Sequence, residues 1–136
     1  MNWKCVSFFS ISIFFLLSCG AKHSSIKEYV KNADSASIAF YEKGDHATQI
    51  IIHDKVTIEK LGNYIDGKGI EPQKCTDNGS IWFYESGKKK MQVDFSLNGD
   101  CNFFSYIMND NLISKSMSED ANKYLSSVKD IASSSL

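Results

Sequence analysis

Three runs in the middle of the chain have the pattern of strands. They are SIWFYES (80–86), KMQVDFSL (90–97) and CNFFSYIM (101–108), and the short sequences GKK and NGD separate them. The second run alternates most clearly, because every other residue from Met91 to Leu97 is apolar. We therefore predict three neighbouring antiparallel strands with one buried and one solvated face.

A hairpin is predicted nearer the N-terminus. SIAFYE (37–42) and ATQIIIH (47–53) are rich in β-branched and aromatic residues, and KGDH (43–46) between them is typical of a turn. A short strand is also expected at LIS (112–114).

The apolar spacing changes after His53, where Val56, Leu61 and Ile65 favour a helix of about three turns. Asp54 or Thr57 could serve as its N-cap. Gly67 and Gly69 are expected to end it with a left-handed cap, and Pro72 follows.

A second helix is predicted to begin after Ser116, which forms a capping-box pattern with Glu119. Its apolar positions are Ala121, Tyr124, Leu125, Val128 and Ile131.

The element order is therefore β-β-α-β-β-β-(β)-α. Because hairpins and meanders dominate, we predict an α+β fold in which an antiparallel sheet of 5–6 strands carries two helices on one face. The predicted single domain covers residues 36–132, and residues 133–136 form a frayed tail.

The central strands contain more aromatic residues than one buried face requires. We expect the face opposite the helices to carry a set of four aromatic side chains that form a contact surface for a partner. Ordinary cross-strand aromatic packing is the alternative. The predicted set is Trp82, Tyr84, Phe104 and Tyr106.

The N-terminus has the form of a secretory signal: Lys4, then an apolar run from Val6 to Leu17, then small residues. The run is too short to span a bilayer, which needs about 20 apolar residues. Leu16-Leu17-Ser18-Cys19 resembles the lipobox of bacterial lipoprotein precursors, although Leu17 stands where that family usually has a small residue.

The resemblance implies cleavage of residues 1–18 and a diacylglycerol on Cys19, often with a further acyl chain such as palmitate on its amine. Two or more chains anchor a protein stably. Residues 19–35 would then form a tether that includes a short helical turn. Gly20 after the cysteine, in place of an aspartate, resembles the signal for the outer membrane, facing the periplasm.

Removing the signal leaves about 118 residues, enough for one small domain. The whole chain has 15 Lys plus Arg and 16 Asp plus Glu, so loss of Lys4 gives 14 − 16 = −2. There is no arginine, the residue best suited to phosphate and base-edge contacts. Nucleic acid is therefore disfavoured as a partner.

Of the four cysteines, Cys5 leaves with the signal and Cys19 takes the lipid. Cys75 and Cys101 remain as an even pair in an oxidising compartment, and we predict a disulfide between them. A metal pair or a redox-active pair is the alternative, but the CxxC spacing and a nearby histidine are both missing.

No catalytic motif stands out, and we expect neither a cofactor nor a metal. His23 falls in the tether, while His46 and His53 flank one strand too far apart to share an ion. Glu85 and Asp94 lie on neighbouring strands with opposite parity, so they are expected on opposite faces. Lys88–Lys90 is read as a solvated hairpin turn, with contact to anionic headgroups as the alternative.

The leading hypothesis is a membrane-tethered, non-enzymatic module that binds an envelope protein, of inhibitor, immunity or assembly type. A small envelope enzyme or ligand carrier is the alternative, and it requires a pocket between helix and sheet. A structural spacer without a specific partner is the third possibility.

Overall fold

A computed structural model describes residues 25–41 and 47–134, and it has the α+β class that the sequence predicts. Within these residues there are seven strands and three helices, where the sequence predicted 5–6 strands and two helices. The strand Gly69–Ile70 was missed, and the helix Ile26–Asn32 was expected only as a turn within the tether. The elements are α1 (Ile26–Asn32), β1 (Ser35–Tyr41), β2 (Ala47–Ile52), α2 (Lys55–Ile65), β3 (Gly69–Ile70), β4 (Gly79–Glu85), β5 (Lys88–Asn98), β6 (Cys101–Met108), β7 (Asn111–Ser116) and α3 (Glu119–Ser133).

The strands form one antiparallel sheet in the order β2-β1-β4-β5-β6-β7-β3. Two-residue turns at 86–87, 99–100 and 109–110 join β4 to β5, β5 to β6 and β6 to β7. The sequence analysis placed Lys88–Lys90 in the hairpin turn. This prediction is wrong, because Lys88–Lys90 forms the start of strand β5. From β3 at one edge, the segment of residues 71–78 returns to β4 in the middle of the sheet.

The three helices share one hydrophobic core with a single face of the sheet, which we call the inner face. The opposite side is called the outer face. Each helix contributes buried apolar residues, such as Val30 from α1, Leu61 from α2 and Leu125 from α3. The strand residues of this core are Ala36, Ile38, Phe40, Ile81, Phe83, Met91, Val93, Phe95, Phe104 and Tyr106.

Helix α1 belongs to the packed structure, since Ile26 and Val30 are only 1% and 3% exposed. Its C-terminal carbonyls are held by the Lys55 ammonium, whose Nζ donates to the oxygens of Lys31 at 2.6 Å and Ala33 at 3.0 Å. A cation at this end also complements the helix dipole. The folded structure thus begins earlier in the chain than residue 36.

Helix α2 begins as predicted, with Asp54 as its N-cap. The Asp54 carboxylate accepts from the Thr57 backbone N–H at 2.8 Å and from the Thr57 hydroxyl at 2.6 Å, and these bonds lower the pKa of the carboxyl. The predicted left-handed cap at Gly67 is wrong, because the helix ends at Asp66 and the backbone of Gly67 is not left-handed. A side chain at Gly67 would instead collide with the carbonyl oxygen of Ser116, so close approach to β7 explains this glycine.

Helix α3 starts two residues later than the capping box predicted. Ser118 is the N-cap, and its hydroxyl accepts from the Ala121 backbone N–H at 3.2 Å. Ser116 belongs to β7, where it pairs with Phe103. Sequence spacing favoured Ser116, but the strand extends through it and leaves Ser118 to cap the helix.

Candidate functional site

Only half of the predicted aromatic set lies on the outer face. Trp82 and Tyr84 lie there, half-buried, but Phe104 and Tyr106 belong to the core on the inner face and are 1% and 5% exposed. The two-residue turn after Asn98 decides this, because it pairs Phe104 with the inward-facing Phe95. The prediction for Phe104 and Tyr106 is therefore wrong.

The outer face carries large apolar side chains that water reaches. Ile107 on β6 and Leu112 on β7 are a cross-strand pair, 69% and 57% exposed. Across the sheet, Tyr41 on β1 and Ile51 on β2 are 45% and 63% exposed. Single exposed apolar residues are ordinary, but a pair of neighbours beside aromatic side chains is typical of a contact surface.

A chain of hydrogen bonds crosses the outer face from β1 to β5. The hydroxyls of Tyr41 and Ser80 lie 2.7 Å apart, and Ser80 Oγ donates to Asp94 Oδ1. The same carboxylate oxygen accepts from Gln92 Nε2 at 3.0 Å. These bonds fix the position of Asp94, which lies half-buried near the middle of the face.

Next to Asp94 the sheet opens into a cleft. β5 and β6 pair from Asn98 and Cys101 as far as Asp94 and Ser105, and no further pair joins them in the described structure. Beyond this point the strands line a cleft of about 350 Å³, which we call the β5/β6 cleft. Its lining residues are Lys90, Met91, Gln92 and Asp94 from β5, Tyr106 and Ile107 from β6, and Leu112 from β7.

The base of the β5/β6 cleft is part of the hydrophobic core. Met91 and Tyr106 belong to the same buried cluster as Ile26 and Val30 of α1, so the helix layer closes the cleft on its inner side. Burial raises the pKa of the Tyr106 hydroxyl, and the negative charge of Asp66 adds to this effect. The Tyr106 ring therefore lies on the helix side of the sheet, where the charge of Asp66 acts on its hydroxyl.

The disulfide brings the 71–78 segment to the outer face. Cys75 bonds to Cys101 with their Cα atoms 6.3 Å apart, and this pairing confirms the sequence prediction. Cys101 points to the same side of β6 as Phe103, which is 3% exposed although it faces away from the helices. The crosslink thus holds the segment over one end of this face.

The segment places a second carboxylate near Asp94. Desolvation raises the pKa of Asp77, and the charge of Asp94 raises it further. The ion pairs of the described residues are Lys27 with Asp66, Lys90 with Glu85, and Lys123 with Glu119, so neither Asp77 nor Asp94 takes part in one. Asp77 and Asp94 thus lie near each other without an ion-pair partner among the described residues, while Lys90, which lines the same cleft, pairs with Glu85.

The other candidate residues do not assemble into a catalytic arrangement within the described structure. His53 is exposed at the end of β2, while His23 and His46 lie outside the described residues, as do Cys5 and Cys19. Glu85 forms an ion pair with Lys90 at 3.4 Å and lies on a different face from Asp94. No group of three metal-binding side chains occurs in residues 25–41 and 47–134.

Two buried polar atoms on the outer face have no hydrogen-bond partner among the described residues. They are the indole Nε1 of Trp82 and the hydroxyl of Ser96. Such groups are uncommon in folded proteins. Both lie on strands next to Asp94, so the polar groups of this region are incompletely satisfied within the described chain.

Sequence reasoning did not find the β5/β6 cleft. The pattern KMQVDFSL reads as one regular strand, and nothing in it indicates that pairing with β6 ends at Asp94. A β-bulge opposite Phe83 and Tyr84 is the one irregularity of this strand, and no glycine or proline marks it.

Comparison with protein-family models, with curated proteins and with solved structures finds no match for this chain. In the part of the chain that the structure describes, no helix combines the length and the apolar character needed to cross a membrane.

Proposed function

We propose that this chain is a lipid-anchored protein of the bacterial envelope whose domain binds another protein through the outer face of its sheet. One observation carries the proposal: in the described structure the helices cover only the inner face. The outer face presents Trp82, Tyr84, Ile107 and Leu112 next to a fixed carboxylate, Asp94.

The chemistry of this face suits a protein partner. Aromatic and large aliphatic side chains are enriched at the centres of protein interfaces, where charged residues are few. Trp82 and Tyr84 add rigid rings that lose little side-chain entropy on contact. The hydrogen-bonded Asp94 supplies one polar group of fixed position, which favours binding of one particular partner protein over nonspecific adhesion.

The anchor is supported by the sequence alone, because residues 1–24 lie outside the described structure. Leu16, Ser18 and Cys19 carry the likeness to a lipobox, and Gly20 carries the likeness to an outer-membrane signal. Helix α1 enters the core at Ile26, so a tether of only a few residues would separate the lipid from the domain. Such a short tether would restrict the domain to partners at the membrane surface.

The mass of the protein extracted from membranes tests the anchor. We expect a chain that begins at Cys19 and carries acyl groups, and we expect the Cys19→Ala variant to lose them. A full-length chain with an unmodified Cys19 would overturn the anchor and the envelope location with it.

Photocrosslinking in intact cells tests the partner surface. A photoreactive amino acid at Ile107 or Leu112 should give one crosslinked product of defined mass, identified by mass spectrometry. Val56 is the matched control, because it is 73% exposed but lies on α2, in the helix layer. Equal products from Val56 and Ile107, or none from either outer-face position, would contradict the proposal.

A further inference from the structure

We infer that the β5/β6 cleft takes an extended segment of the partner protein, which adds to the sheet as a short strand and presents a lysine or arginine to Asp94. The inference rests on the proposed function and states which conformation and which side chain the partner's segment has. Three features support it: open strand edges, an apolar wall and two carboxylates that form no ion pair with a described residue.

The two walls of the β5/β6 cleft are strand edges. Lys88–Val93 of β5 pairs with β4 on one side, and Tyr106–Met108 of β6 pairs with β7 on one side. The sides that face the cleft have no partner strand among the described residues. Backbone N–H and C=O groups on such edges favour pairing with an added chain.

The dimensions of the cleft favour an extended chain over a helix. Its volume is only about 350 Å³, whereas a helix with its side chains is about 10 Å across. β5 and β6 are paired as far as Asp94 and Ser105, so the cleft ends there. A few residues of extended backbone match this shape.

The side chains around the cleft define the preferred sequence of the segment. Ile107 and Leu112 form an exposed apolar wall on the outer face, which suits an apolar side chain of the added strand. Asp94 lies at the closed end with Asp77 nearby, and neither has a cationic partner in the described structure. A basic side chain next to an apolar one complements both features.

Selection from a phage-displayed library of random dodecapeptides on the purified full chain tests the inference. We expect enriched peptides to combine β-branched or aromatic residues with a lysine or arginine. Synthetic copies are then titrated by fluorescence anisotropy, beside copies with methylated backbone nitrogens, which cannot pair with a strand. Methylation should weaken binding at least about tenfold, because it removes backbone hydrogen bonds.

Matched variants locate the binding site. Ile107→Asp should abolish binding, whereas Ile51→Asp should not change it, because Ile51 is similarly exposed on the same face but lies on β2. Asp94→Asn keeps an acceptor for Ser80 and should weaken binding of the basic peptides roughly three- to fivefold. Thermal unfolding of each variant checks that it is folded.

Several outcomes would overturn the inference. They are the absence of any enriched peptide, equal binding of methylated and unmethylated copies, and equal effects of Ile51→Asp and Ile107→Asp. A concentration-dependent dimer that Ile107→Asp dissociates would assign the cleft to a second copy of this chain instead. If crosslinks from Ile107 identify a partner while no peptide is enriched, the proposed function stands and the strand-addition inference fails.

Discussion

Asp94 on β5 and Ser105 on β6 are the last residues through which these two strands pair, and beyond them the strands line opposite sides of a cleft. The same Asp94 accepts hydrogen bonds from Ser80 and Gln92. The residue at the point of separation is thus held by its neighbours on the outer face.

Replacing Gly79 by alanine should destabilise the fold. A Cβ atom at Gly79 would meet the carbonyl oxygen of Ala39 and the ring of Phe95, whose Cε1 would lie 2.9 Å away. Overpacking of this kind costs about 1–3 kcal/mol. Gly69→Ala is the control, because a Cβ there meets nothing within 4 Å. Urea unfolding of both variants measures the difference, and equal midpoints would refute the close packing at Gly79.

Asp77→Asn should stabilise the protein at neutral pH. The pKa of Asp77 is raised above its ordinary value of 3.8 in the folded state, first by desolvation and then by Asp94. The folded protein therefore binds this proton more readily than the unfolded chain, and the cost of the charged form is relieved as the pH falls towards 3.8. The advantage of the variant should be present at pH 7 and vanish below pH 3.8.

Thermal unfolding of both proteins across this pH range provides the measurement. The control is Asp94→Asn in a protein that already carries Asp77→Asn. In that protein the repulsion between the two carboxylates is absent before Asp94 is changed. An Asp77→Asn variant that is less stable than the wild type at pH 7, with a deficit that disappears as the pH falls, would show that the pKa of Asp77 is shifted in the opposite direction.

Loss of the disulfide should cost stability. Cys75 and Cys101 are separated by 26 residues, and a crosslink closing such a loop contributes about 3.5 kcal/mol on the chain-entropy model. We expect the Cys75→Ser, Cys101→Ser double variant to unfold at a lower urea concentration and to be cleaved by trypsin after Lys74. Resistance at Lys74 in the variant would mean that other contacts hold the 71–78 segment in place.

Ser118→Ala should lower the free energy of unfolding by about 1 kcal/mol, because it removes the N-cap hydrogen bond to Ala121. Ser116→Ala should have a smaller effect, since Ser116 pairs through its backbone within β7. The capping-box pattern in the sequence predicts the reverse order. Urea unfolding of the two single variants therefore distinguishes the sequence pattern from the structure.

Local patterns were sufficient for most of the secondary structure. The alternation from Met91 to Leu97 defined β5 and its inner face, and Asp54, the N-cap of α2, was one of two residues predicted there, because side-chain burial and capping depend on neighbours along the chain. Cys75 and Cys101 could be paired by counting cysteines. β3 and α1 are short, and they pair with β7 or pack into the core, so local patterns indicate them only weakly.

The α+β class, the two longer helices, the hairpins and the disulfide could be predicted from the sequence, because each depends on local periodicity, turn residues or cysteine number. Which aromatic residues face outwards could not be predicted in this way, because the two-residue turn after Asn98 sets the register that buries Phe104 and Tyr106. The tertiary structure also decided that β5 and β6 separate beyond Asp94. Met91 and Tyr106, which line the cleft, belong to one buried cluster with Ile26 and Val30 of α1, so this part of the fold joins distant segments that no local pattern relates.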